Sequence, residues 1–157
     1  MHFALGEKKD RSTNMIKIDS KMAHKVSPDN VMISKPTIKN GVHSFQCTHE
    51  TTEFVLDHES KHVNGILLLE ACRQAAIATC HLNGVRKGSK SIALLGINAS
   101  YKEKVNKTDN IHIESSCYLS NMRGAFDSAT VECKVMQNDE CKAKIVFTGN
   151  VFIEEIK

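Results

Sequence analysis

Tryptophan is absent and aromatic residues make up only 5% of the chain, with no basic stripe interleaved among them. The footprint of a nucleic-acid binder is therefore missing. A formal net charge of +3 is too mild to demand an acidic partner, although it is compatible with one. Paired cysteine motifs are lacking as well. Cys47, Cys72, Cys80, Cys117, Cys133 and Cys141 form no CxxC and share no zinc-finger spacing with histidine. No metal is expected, and the thiols read as reduced core residues. The opening stretch MHFALGEKKDRS has no apolar core long enough for a signal peptide. The one greasy run, LLLEAC, is broken by Glu70, Arg73 and Gln74 too soon to cross a bilayer. The expectation is a cytoplasmic protein with no membrane span. There is no internal repeat and no low-complexity segment.

What is present is an ordinary globular composition, 41% hydrophobic and 25% charged over 157 residues, with room for one core. Residues 1–20 are polar and lysine-rich and read as a flexible segment, which leaves 21–157 as a single domain.

The stretch Asp57 to Asn83 organises the rest. Asn64 is a good N-cap, and Gly65 opens the helix without a side chain, so another group can approach the free amides of the first turn. From Ile66 to Leu82 there is neither Pro nor Gly, and Asn83-Gly84 supplies the stop. A helix over about 65–83 would be roughly 25 Å long. Apolar residues cover nearly its whole circumference, so it must be wrapped by other elements. The polar exceptions are Glu70, Arg73 and Gln74. A carboxylate on so apolar a helix is costly unless paired or used, and a Glu70–Arg73 pair is the bland reading.

Before the helix, Val31 to Ser34 reads as a short strand stopped by Lys35-Pro36. Asn40-Gly41 is a turn, Val42 to Thr48 a second strand, and Phe54 to Leu56 a brief extended approach. After it come a basic loop with Arg86, Lys87 and Lys90 and then four strand-like runs, Ser91 to Lys104, Asn110 to Ser120, Ala125 to Gln137 and Cys141 to Ile153. Short hairpin loops join the last four, which implies an antiparallel sheet. One long apolar helix with about six antiparallel strands is an α+β fold, the sheet curled around the helix.

These residues carry a resemblance. The string Asp57, His58, Glu59, Ser60, Lys61, His62, Val63, Asn64, Gly65, Ile66, Leu67, Leu68, Leu69, Glu70, Ala71, Cys72, Arg73, Gln74, Ala75 resembles the D-H-P-x-D-H-V-P-G-M-L-L-x-E-A-x-R-Q-A pattern of the A-factor biosynthesis (AfsA-type) family of hotdog proteins. His24-Lys25 followed by Asn30 to Ser34 is similar to a second, weaker segment of that family. Glu59, Lys61 and Asn64 stand where the family usually has Pro, Asp and Pro; Asn64 still caps a helix, whereas Lys61 reverses a charge beside the site. AfsA-type enzymes carry two such domains in one chain, and a homodimer with sheets joined edge to edge would restore the pair.

The resemblance implies acyl-thioester chemistry, with the substrate carried on the phosphopantetheine of an acyl carrier protein or CoA and no bound cofactor. Family members move a β-ketoacyl group to a hydroxyl acceptor such as dihydroxyacetone phosphate. Related hydroxyacyl-carrier-protein dehydratases use a His before the helix and a Glu within it, at intervals that match Gly65 to Glu70 and Glu70 to Gln74. By this likeness His58 or His62 is the base, Asp57 orients it, Gly65 binds the oxyanion, and Asn64 counts among the substrate-binding residues. Glu70 serves as acid/base or orients the acceptor, Arg73 pairs with Glu70 or with a phosphate, and Gln74 lies in the same substrate site. Dehydration or thioester hydrolysis, a non-catalytic module binding an acyl thioester or butenolide-like ligand, and a purely structural dimer are the alternatives. His24 is as consistent with a strand edge as with a site, and His43, His49, His81 and His112 have no partner pattern. Lys61 and the single domain favour the non-enzymatic readings.

Overall fold

The structure, a computed structural model, describes residues 15–49, 61–84, 92–120 and 126–152. Its central element is the helix α1, Gly65–Leu82. The Asn64 side chain accepts the Ile66 amide at its start, and Asn83 caps its end with both its backbone and its side chain, which bond to the Thr79 carbonyl. Gly84 follows at φ +107°, a conformation open to glycine because it has no Cβ.

Six strands among the described residues form one antiparallel sheet in the order β1-β2-β4-β5-β6-β3. They are β1 (Thr37–Lys39), β2 (Val42–Cys47), β3 (Ile92–Tyr101), β4 (Ile111–Ser120), β5 (Phe126–Gln137) and β6 (Glu140–Phe152). The four strand-like runs expected after the helix are thus β3 to β6, with ends shifted by a few residues. β5 and β6 meet at Asn138-Asp139, both in the left-handed region (φ 53° and 61°), the geometry of a two-residue hairpin. Asn40 and Gly41 (φ 52° and 76°) make the same kind of turn between β1 and β2.

Two local expectations differ from what is found. Val31 to Ser34 is not a strand of its own: it meets its neighbours through the single bridges Ile33–Cys47 and Lys17–Ser34, because Lys35-Pro36 halts the ladder. Its four residues are nevertheless buried. β1 has no counterpart among those expectations, being three exposed residues that carry no alternation. Residues 54–56 and the basic loop at 86–90 lie outside the described residues.

α1 packs mainly across β4 and β5. Leu68, Ala71, Cys72, Ala75 and Ala78 form its inner face, and Phe45, Ile113, Val131, Cys133, Val135 and Ile145 answer from the sheet. Small residues on the helix let the two backbones approach. The Thr79 hydroxyl donates to the Ala75 carbonyl (2.7 Å) and lies 2.8 Å from the Ser115 hydroxyl, which is left to donate to it. The all-round apolar character of α1 is explained by a second cover, the segment from Met22 to Met32, which is bonded to the helix through Gln74. Near β3 the covering stops: Ile66 is 52% exposed and Ile77 is half-buried. Among the described residues, no helix is long and apolar enough to cross a membrane.

Candidate active site

The N-terminus of α1 opens into a cleft of about 320 Å³ lined by His62, Val63, Gly65, Leu68 and the stretch Tyr101 to Val105. The first amides of a helix have no acceptor within it. Here Asn64 Oδ1 takes one of them, that of Ile66, at 2.8 Å. Tyr101 comes from the end of β3 and donates its hydroxyl to the Gly65 carbonyl at 2.7 Å. A Cβ on Gly65 would stand 3.2 Å from the Tyr101 ring, so the missing side chain is what lets the ring lie against the helix start. Burial raises the Tyr101 pKa, with a further push from the Cys72 thiol, which keeps the phenol a donor.

His62 is exposed and sits where the approach to α1 is tied to the connection between β3 and β4. Val63 donates to the Val105 carbonyl, Lys107 donates to the Lys61 carbonyl, and His62 bridges Asn106. That connection is fixed in turn by the buried Gln137 of β5, whose amide binds the Asn106 backbone N–H and carbonyl and the Asp109 carbonyl. Gln137 therefore positions His62 from the core. Asp57 and His58 lie outside the described residues.

Glu70, one and a half turns further along, points elsewhere. Its carboxylate takes two hydrogen bonds from Arg73 (2.8 and 2.9 Å), an ion pair with Lys25 (2.8 Å) and a bond from Gln74 (3.0 Å). Burial of the carboxyl, 11% exposed, raises its pKa, but Arg73, Lys25 and Gln74 outweigh that and hold it at about 2. Gln74 also accepts the Met32 amide and donates to the Asn30 carbonyl. Within one chain Glu70 is thus joined to the 22–32 segment and not to the cleft that holds His62.

Two histidines not singled out as site residues meet beside this cluster. His24 Nε2 lies 2.8 Å from His81 Nε2, with the rings 5.0 Å apart. His81 stands on the same stripe of α1 as Glu70 and Gln74, four and eleven residues after Glu70 being equivalent positions on a helix. That periodicity was the available signal. His24 and Arg73 also border an apolar cavity of about 150 Å³ between α1 and strands β3, β5 and β6. Among the described residues no group of three or more His, Cys, Asp or Glu could hold a metal ion.

A helix N-terminus open to a cleft, set on an antiparallel sheet, is the geometry implied by the Asp57 to Ala75 string. Residues 7–153 match the family described as the A-factor biosynthesis (AfsA) hotdog domain. The chain belongs to this AfsA family. The AfsA-type domain shares its fold with solved structures of low sequence identity. One is an uncharacterised protein of Pyrococcus horikoshii, 19% identical over 90% of this chain and 97% of the other, with a TM-score of 0.56. A second is a hypothetical thioesterase from Streptococcus pneumoniae, solved with coenzyme A, 14% identical over 76% of this chain and 85% of the other (TM-score 0.56). A third, from Streptococcus mutans and bound to acetyl-CoA, is 14% identical over 83% of this chain and 94% of the other (TM-score 0.53). No curated protein matches the sequence significantly.

Proposed function

We propose that this AfsA-type domain is an acyl-thioester enzyme that moves a β-ketoacyl group from an acyl carrier protein or CoA to a small hydroxyl acceptor such as dihydroxyacetone phosphate. The observation that carries this reading is the open helix start at Gly65, faced by His62 and held by Tyr101. A thioester carbonyl placed there would have its developing negative charge met by the amides of the first turn and by the helix dipole. His62 or His58 takes the proton of the acceptor hydroxyl, and Asp57 orients the base. The oxyanion collapses with loss of the thiolate, leaving the ester. Coenzyme A and acetyl-CoA in two hotdog neighbours are consistent with a thioester on this fold.

Glu70 is assigned to orientation. A carboxylate held ionised by two cations and an amide cannot serve as an acid near neutral pH, so its surroundings favour transfer over dehydration. The homodimer belongs to the same proposal. Among the described residues β3 is an edge strand of ten residues, on which Leu94, Leu95 and Ile97 are exposed.

The test is intact-mass analysis of carrier-protein substrates. Loss of the 3-oxoacyl group only when dihydroxyacetone phosphate is added, abolished in His62→Ala or in His58→Ala, is the expected result. Acceptor-independent loss would make the protein a thioesterase, and loss of water from a 3-hydroxyacyl substrate a dehydratase. Saturable binding with no turnover would leave a binding module.

A further inference from the structure

The cavity bordered by His24 and Arg73 takes its basic groups from those two side chains, and Thr148 of β6 adds a hydroxyl. Its remaining walls are mostly apolar, with Ala76, Ile77 and Cys80 from α1 facing Val131 of β5 and Phe147 of β6. A mostly apolar space with a few polar groups suits a ligand of the same design. At about 150 Å³ it equals a cavity that accepts benzene, so it takes on the order of six carbon atoms.

The backbone fixes His24 at the border of the cavity. It lies at φ 51° as the left-handed residue of a Schellman-type turn, with Lys25 donating to the Ser20 carbonyl and His24 to the Lys21 carbonyl. Lys25, the next residue, is anchored on Glu70.

The contact with His81 has a chemical consequence. Two Nε2 atoms at 2.8 Å share one proton, so one ring donates and the other accepts. When His24 donates, its Nδ1 carries a free lone pair. His81 lies in the last turn of α1, where the helix dipole favours a positive charge. The groups near His24 are His81, Arg73 and Cys80 from α1, with the Glu70–Lys25 pair beyond; the strand residues lining the cavity carry no ionisable group.

We propose that this cavity holds a short acyl group bearing a hydroxyl or enol, and that His24, backed by His81, accepts its proton. The O–H bond breaks with its electron pair left on oxygen, Nδ1 of His24 gains the proton, and the Nε2 proton of His24 passes to Nε2 of His81. His24 is the group in contact with the substrate; His81 is a positioning residue and proton store. Burial, His81 and Arg73 all lower the His24 pKa, which keeps the ring neutral and able to act as a base. The acyl class of the ligand rests on the proposed function, whereas the pocket and the histidine pair do not.

The experiment is NMR of full-length protein with labelled histidines, titrated with 3-hydroxyhexanoyl-CoA and with CoA alone. The His24 and His81 ring signals are expected to move with the acyl probe and not with CoA. Ile77→Phe, at a half-buried position bordering the cavity, should weaken that binding about tenfold while the circular dichroism spectrum is unchanged. Movement of His62 alone overturns this site and leaves the helix-start reading standing. Movement of His24 without His62 does the reverse, and no movement of either overturns both. A pH titration of the His24 ring tests the pair: His81→Gln should raise the His24 pKa. A His24 curve unmoved by that substitution would end the proton-store assignment.

Discussion

Glu70 is the residue whose role the ion pairs decide. With Lys25 and Arg73 both turned on it, Glu70→Gln should destabilise the fold by on the order of 2 kcal/mol, as removal of one member of a partly buried charge cluster does. Urea denaturation measures this, and an unchanged midpoint would return Glu70 to the catalytic candidates. The acid limb of stability follows from the same residue. Its pKa falls from 4.5 to about 2 on folding, so its contribution is complete above 4.5 and is lost as pH drops toward 2. His24 acts earlier: its folded pKa is depressed, so the unfolded chain takes up a proton first and stability declines below the ordinary value of 6.5. Thermal melts across this range should show both losses, with Glu70→Gln flattening only the more acidic one. The sequence told that Glu70 needed a partner and offered Arg73. It marked His24-Lys25 as a family-like segment without bringing either residue to Glu70 or His81, because their approach depends on a turn from Asp19 that no short-range pattern encodes.

At the scale of the element, α1 was legible almost to the residue. Asn64, Gly65 and Asn83-Gly84 are local signals, and local signals survive into the fold. The strands after it were equally plain from their alternation and hairpin turns. What could not be read was strand order, since β3 lies beside β6 at the far edge of the sheet and not beside β4. Tyr101 was missed for that reason: its contact with Gly65 exists only once β3 is placed. Tyr101→Phe should cost about 1 kcal/mol of stability and reduce thioester turnover, by loosening the helix start. Gly149 of β6 tests the other side of β3. A Cβ there would stand 2.6 Å from the Ala93 carbonyl oxygen, a backbone atom with no freedom to yield. Gly149→Ala is therefore expected to pry β3 loose, seen as faster hydrogen exchange across β3 with β4 and β5 still protected.

At the scale of the molecule, the two edges of the sheet among the described residues are unlike. β1 is three residues long, ends on Lys39 and is preceded by Lys35-Pro36, all features that discourage pairing. β3 has ten residues, IALLGINASY, with no charge among them and Leu95 67% exposed. Ile97→Lys should convert the expected dimer to a monomer in light scattering and abolish any activity that needs both copies. A wild-type monomer by the same measurement would remove the dimer from the proposal. The uncharged edge has one more consequence. Ten residues without a gatekeeping charge or proline form a template that any extended chain can join. A chain whose β3 edge is left unpaired should therefore nucleate fibrils that bind thioflavin, and a single lysine on β3 should suppress them; a second copy seated on that edge, as proposed, would also guard against runaway assembly.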